Sequence, residues 1–275
     1  MDKFVKLGEQ DFVNEAKRIV SEAEGKGLVL RVLGALAIYI HSMDNPASLE
    51  IFKNLERLGE GKPFFTDLDL VAYSRQSFEI RKFFEKELNY KPNIYVNTLF
   101  AFKRNIFDHP ENLFSVDVFY DKLDYSHIVN FGDLKNGRLQ IDSPTIPLED
   151  IVLEKLQIHE INRKDLVDLV VLLNGHKTST AKEKEVIDIG YIAKVLADDW
   201  GFWYDATENL SKLKWFVNET LSQKKIDRQV QGKVTGAIEE MLKQIESEPK
   251  TRNWVKRSKT GTKAPWYKEV EEVER

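Results

Sequence analysis

Apolar residues recur along the first third of the chain in patterns that predict a helix, a strand and a second helix in that order. Phe12, Val13, Ala16, Ile19, Val20 and Ala23 fall at helical spacing and stop at Gly25-Lys26-Gly27. Leu28 to Leu33 is a short Val- and Leu-rich run of buried-strand type, and Gly34 separates it from the helical ALAIYIHSM. Residues 44–63 carry Pro46, Gly59, Gly61 and Pro63 around a helix-compatible stretch at Leu49 to Leu58, and read as an insertion. Phe64 to Tyr73 alternates, with Leu68 and Leu70 on one side and Asp67 and Asp69 on the other. Gln76 to Leu88 is amphipathic through Phe78, Ile80, Phe83, Phe84 and Leu88. Asn93 to Phe102 and Phe114 to Tyr120 read as two strands joined by the turn-rich DHPEN.

Beyond Pro144 and Pro147 the pattern turns helical. Ser143 to His159, Asn162 to Asn174 before Gly175, Asp188 to Trp200 before Gly201, Thr207 to Leu221 and Ile226 to Ser247 all carry helix start or stop signals. The polar run at 176–185 is the clearest internal loop. The expected fold is α/β (α+β), a mixed sheet flanked by helices and followed by a C-terminal helical bundle. Its expected divisions are residues 1–143, 144–248 and a basic tail at 249–275.

Composition narrows the chemistry. With 41 Lys+Arg against 45 Asp+Glu in 275 residues, and 42% hydrophobic content, the chain reads as soluble and globular. No cysteine is present, which excludes disulfides, thiolate zinc sites and Cys nucleophiles. The five histidines, at 41, 109, 127, 159 and 176, form no His-x-x-x-His pair, which argues against a zinc enzyme. The N-terminus lacks a signal-peptide core and no apolar run is long enough to span a bilayer, so a cytoplasmic protein without membrane contact is expected.

Carboxylates stand out instead. Two residues apart on a strand, Asp67 and Asp69 share a face at roughly 6.6–7 Å along the chain, suited to one or two hard cations. Asp117, between Val116 and Val118, repeats the arrangement on a later strand. An all-carboxylate set favours Mg²⁺ or Mn²⁺, and acid-x-acid pairs are also common on solvated sheet faces without a ligand. Gly34, before a helix N-terminus, serves either close packing or an anion held by backbone N–H groups.

These residues resemble the DNA polymerase β type nucleotidyltransferase superfamily, marked by a Gly turn at a helix start, Asp-x-Asp on a strand and a third Asp on a later one. Here the marks are Leu33-Gly34-Ala35, Thr66-Asp67-Leu68-Asp69 and Val116-Asp117-Val118. Where the family usually has Gly-Gly or Gly-Ser, this chain has Gly34-Ala35. It is similar more narrowly to the AbiEii-like branch of toxin and antitoxin pairs, which has a Lys and then a basic-Asp-x-x-Asp helix, matched by Lys155 and by Lys164-Asp165 with Asp168. The resemblance, over about residues 28–174, implies a nucleotidyltransferase that moves a nucleoside monophosphate from a nucleoside triphosphate to an acceptor hydroxyl. It implies Asp67, Asp69 and Asp117 as metal ligands and catalytic acids, and Gly34, Ala35, Lys155, Lys164, Asp165 and Asp168 as nucleotide contacts. It also implies a cognate antitoxin-like partner. The rival is a catalytically inactive nucleotide-binding or protein-interaction module on the same fold.

Asp168 lies among apolar residues in LVDLVVLL and needs a partner to stay charged, with Lys155 the best placed. That pairing serves equally as a buried tie between two helices, with Asn162 as a helix cap, and as part of a nucleotide cleft. Trp200, Trp203 and Trp215 read as core anchors, His41 and Ser42 as packing or capping residues, and His109-Pro110 as a turn. Residues 250–268 hold seven Lys or Arg, two Trp and one Tyr without an acid, a solvated tail by default and an RNA-binding segment by composition.

Overall fold

The computed structural model describes residues 7–59 and 62–269. The stretch Met1–Lys6 read for a signal core, Gly61 of the insertion and residues 270–275 of the basic tail lie outside them. The fold is mixed α/β, a multi-stranded sheet with many helices. No helix among the described residues is long and apolar enough to cross a membrane. The chain divides into two compact units, Met1–Ile40 with Leu58–Leu123 and Asn130–Pro147, and His41–Arg57 with Asp124–Val129 and Leu148–Arg275.

The first unit is built on the sheet. Helix α1 (Glu9–Glu24) precedes β1 (Leu30–Val32) and α2 (Gly34–Ser42); α3 (Pro46–Asn54) belongs to the second unit. Then come β2 (Asp67–Ala72), α4 (Ser77–Lys82), β3 (Lys91–Pro92), α5 (Ile94–Leu99), β4 (Arg104–Asp108) and β5 (Ser115–Tyr120). The sheet runs β1-β2-β5-β4-β3, with β2 and β5 parallel at its centre and the other pairs antiparallel. Alternation sends Leu68, Leu70, Val116 and Val118 into the core. Six buried residues of α1 pack the region beside β1, and Phe12 meets Phe114 at 4.8 Å between ring centres.

Two expectations fail here. The run Asn93 to Phe102 is a helix, α5, and the strand lies later, at Arg104–Asp108. Asn93 caps α5 by accepting from the Val96 N–H at 3.1 Å. Asn97 then pairs with both the N–H and the C=O of Ile106, tying α5 to β4. The cap and this side-chain ladder outweigh the strand propensity of Ile94, Tyr95 and Val96. Phe78, assigned to the buried face of its helix, is exposed.

A short hairpin, β6 (Lys122–Asp124) with β7 (Ile128–Asn130), follows β5. The second unit is mainly helical: α6 (Leu148–Leu156), α7 (Arg163–Gly175), α8 (Ile189–Leu196), α9 (Trp200–Ser222), α10 (Arg228–Ser247) and α11 (Arg252–Ser258). At its centre, α7 has Val167 and every residue from Leu169 to Leu173 buried, each contributing roughly 1.5–3 kcal/mol for a fully buried aliphatic side chain. Around it pack α3, α9 and α10. The polar run at 176–185 is partly ordered, since β8 (Lys177–Ser179) pairs parallel with β9 (Val186–Asp188). Trp200-Gly201 opens a helix where a stop is expected: the Asp199 side chain accepts from the Phe202 N–H at 3.1 Å, and this cap starts 23 residues of helix. Trp215 is exposed and anchors no core.

Gly34 has φ +71°, in the left-handed region. A side chain there costs about 1–2 kcal/mol. Gly34→Ala should therefore lower stability in urea unfolding by about that amount, and Gly34→Asn by less, because Asn tolerates this conformation.

Candidate functional site

The sheet register decides where the acids go. In the parallel pair, Asp69 lies opposite Asp117 and Asp67 opposite Ser115. Registered partners on neighbouring strands share a face at about 4.8 Å, so Asp67, Asp69 and Asp117 project from one face, as expected from alternation. The β1–α2 turn adjoins them, since the Leu33 N–H donates to the Asp69 carbonyl at 3.1 Å and Gly34 follows at once. This brings the N-terminus of α2, the positive end of its dipole, to the same end of the sheet as Asp67 and Asp69. Thr66 Oγ1 donates to Asp67 Oδ1 at 3.0 Å. Asp67 and Asp69 are half-buried, whereas Asp117 is 2% exposed.

Asp117 is already engaged. Arg104 Nε donates to its two oxygens at 2.8 and 2.9 Å, and Nη2 adds a further contact to Oδ2. On antiparallel β4 the register partner of Asp117 is Ile106, so Arg104 reaches it along the diagonal. The guanidinium also lies 5.1 Å from the centre of the Phe119 ring. Oxygen donors on Asp67 and Asp69 fit a hard cation. The third carboxylate meets a cation of the protein's own. Arg104 went unnoticed because its partner lies thirteen residues on, and only strand pairing brings the two together.

In the second unit, Lys155 on α6 meets Glu154 at 3.1 Å, Asp168 at 3.2 Å and Asp165 at 3.5 Å. The expected contact of Lys155 with the α7 acids is present. Asp168 is fully buried and also accepts a fork from Arg57, Nε to Oδ1 at 2.6 Å and Nη2 to Oδ2 at 3.1 Å. Arg57 comes from the turn after α3, which Arg163 holds through the carbonyls of Leu55 and Glu56. Asn162 caps α7, accepting from the Asp165 N–H at 3.1 Å. Burial is the largest influence on the Lys155 ammonium and acts to lower its pKa, but Glu154, Asp168 and Asp165 together outweigh it and raise the pKa. Three carboxylates thus surround two cations, so Lys155 is spent on protein charges. Lys164, in contrast, is exposed.

Lys155, Glu154, Asp165 and Lys164 line one side of a pocket of about 630 Å³ whose other walls include Ser126, His159 and Tyr267. Behind His159 lies Asp205, 2% exposed. It accepts from His127 Nε2 at 2.7 Å, Trp266 Nε1 at 2.9 Å and His159 Nδ1 at 3.0 Å. Burial alone would raise the Asp205 pKa, but these three hydrogen bonds hold it below the ordinary carboxylate value. His159 stacks on Tyr267 with ring centres 3.6 Å apart. Asp205 was missed, although an acid in the aromatic helix WGFWYDATENL carries the same buried-charge signal as Asp168.

No family model, curated protein or solved structure matches this chain. In the basic segment, expected by default to be a solvated tail, α11 is ordered and its aromatic residues are taken up in packing. Trp254 meets Trp203 edge-on, Trp266 binds Asp205 and Tyr267 covers His159. Arg252, Lys256, Lys259, Lys263 and Lys268 remain exposed.

Lys155→Met should cost about 3–5 kcal/mol at pH 7, because it strands buried carboxylates. In the wild type the Lys155 contribution is complete below the unfolded lysine value near pH 10.4 and is lost only as pH rises above it. The variant has no ammonium to lose, so the deficit is complete at pH 7 and narrows only as pH rises above the unfolded lysine value. Urea unfolding of both proteins at pH 7 and above the unfolded lysine value checks this. An unchanged deficit would show that Asp165, Asp168 and Glu154 do not depend on the Lys155 ammonium.

Proposed function

We propose that the protein is a metal-dependent nucleotidyltransferase, transferring a nucleoside monophosphate from a nucleoside triphosphate to an acceptor hydroxyl. The observation that carries this reading is the pairing of Asp69 with Asp117 across β2 and β5, which puts three acids on one face. The Gly34 turn stands at the same end of the sheet, as an Asp-x-Asp site for a triphosphate requires. Asp67 and Asp69 would hold Mg²⁺ or Mn²⁺, which supplies charge neutralisation and orientation of the triphosphate. Gly34, Ala35 and the α2 N-terminus face the phosphate charge. Asp117 helps take the proton of the attacking hydroxyl, a role that requires Arg104 to turn from it toward the nucleotide. In the second unit, Lys164 is an exposed cation, while Lys155, Asp165 and Asp168 hold the α6–α7 wall of the pocket. RNA as acceptor, met through the exposed lysines of 250–268, and an antitoxin-like protein partner belong to the same proposal.

One observation favours a second reading, a nucleotide-binding or protein-interaction module without transfer activity: the fork of Arg104 on Asp117 gives the third acid a counter-charge from the protein itself. The two readings separate in one experiment. Labelled nucleoside triphosphate and Mg²⁺ are incubated with the protein and total RNA or total protein, and melting temperature is followed in parallel. Label transfer that Asp67→Ala with Asp69→Ala abolishes supports the enzyme. Binding at a hundred times Kd adds about 2.7 kcal/mol of stability, and the double variant should lose that response while keeping its own fold. A ligand response without transfer supports the second reading. An equal response in both proteins would remove Asp67 and Asp69 from the site.

A further inference from the structure

We infer that residues 94–102 of the first unit form the surface through which two copies of this chain dimerise. Ile94, Tyr95 and Phe102 are 76%, 73% and 74% exposed, Leu99 58% and Phe100 39%. All five fall within nine consecutive residues, and no charged residue stands between Pro92 and Phe102. The local structure imposes this exposure. The Asn93 cap and the two Asn97 bonds to Ile106 fix α5 against β4, with Val96 and Asn97 as its buried side. Held that way, Ile94, Tyr95, Thr98 and Leu99 face outward at the i, i+1, i+4, i+5 spacing of one helix side. After the helix the Phe100 carbonyl accepts from the Lys103 and Arg104 N–H groups at 2.7 and 3.0 Å, closing a tight turn that bears Phe102.

Area and charge together select the occupant. At about 150–250 Å² for a large side chain fully in water, these five leave roughly 600 Å² of apolar surface uncovered, the upper limit for the largest patch of an ordinary monomer. Two such faces in contact remove roughly 1,200 Å², which reaches the size of a specific interface. A two-fold contact uses the same patch on both sides, so an uncharged surface meets an uncharged surface. A partner of opposite charge is selected by ion pairs, and this patch offers none. The neighbouring sheet edge closes the other common route to association. There β3 has only two residues, Lys91 is charged and Pro92 has no N–H, so side chains make the contact and strand addition does not.

Sedimentation equilibrium of the full chain from about 0.1 to 100 µM should show a monomer–dimer equilibrium in the micromolar range. The dimer should persist in about 1 M salt, since no ion pair holds it. Tyr95→Asp with Leu99→Asp should weaken it about a hundredfold or more and leave the melting temperature of the dilute monomer unchanged, because both positions are exposed. The chain has no cysteine, so a single introduced thiol reports its own surroundings. Under mild oxidation Thr98→Cys should give a disulfide-linked dimer much faster than Trp215→Cys, an exposed position of the second unit. A chain that stays monomeric at the highest concentration, a dimer indifferent to the double substitution, or equal cross-linking at the two positions overturns the proposal. So does a monomer that binds vesicles of mixed zwitterionic and anionic lipid through Tyr95 and Leu99, which would make a lipid surface the occupant. Asp67→Ala with Asp69→Ala should dimerise as the wild type does, so this result stands apart from nucleotide transfer.

Discussion

The second unit depends on keeping one carboxylate charged in an apolar interior. Asp168 has no exposed surface, and an unpaired charge there would be untenable. Lys155 from the preceding helix and Arg57 from the turn after α3 meet that demand together. Their geometry ties three segments: α3 packs on α7, α6 is held by its last turn, and Arg163 fastens the α3 turn by its carbonyls. A buried ion pair of this type adds little over a hydrophobic isostere, yet removal of either partner is expensive. It specifies which segments meet more than it stabilises them. This is why residues 41–57 group with the helices and not with the sheet into which they are inserted.

The same accounting makes clear which parts were legible in the sequence. Asp168 announced its need for a cation, and Lys155 answered it from one helix away. Arg57 was out of reach, being 111 positions from its partner inside a stretch punctuated by glycine and proline. Alternation about Leu68 and Val116 placed three acids on sheet faces, and the parallel register aligned two of them. Alternation carries no information about neighbours, so Arg104 remained invisible. In α5, residues of high strand propensity fold as a helix because two asparagines offer the backbone better partners. Likewise Gly201 is a poor stop once Asp199 has capped the helix that contains it.

Arg104 gives the acid face of the sheet a counter-charge of its own. Without a cation, three carboxylates on one face would repel. The guanidinium relieves that repulsion and also stacks over Phe119, so its position is fixed from two directions. A cation arriving at Asp117 competes with this guanidinium, and its affinity is reduced by the cost of parting the pair.

Asp205 gathers donors lying 46, 61 and 78 positions away from it, the last of its partners being Trp266. Contacts of such separation form late, after most loop entropy has been spent. During synthesis, the wall of the pocket that contains His159 cannot close until Trp266 has been added and has left the ribosome. Through that interval Asp205 has fewer donors to hold its charge, and His159 lacks the ring of Tyr267. The pocket is therefore available only to a chain that has been read through residue 267.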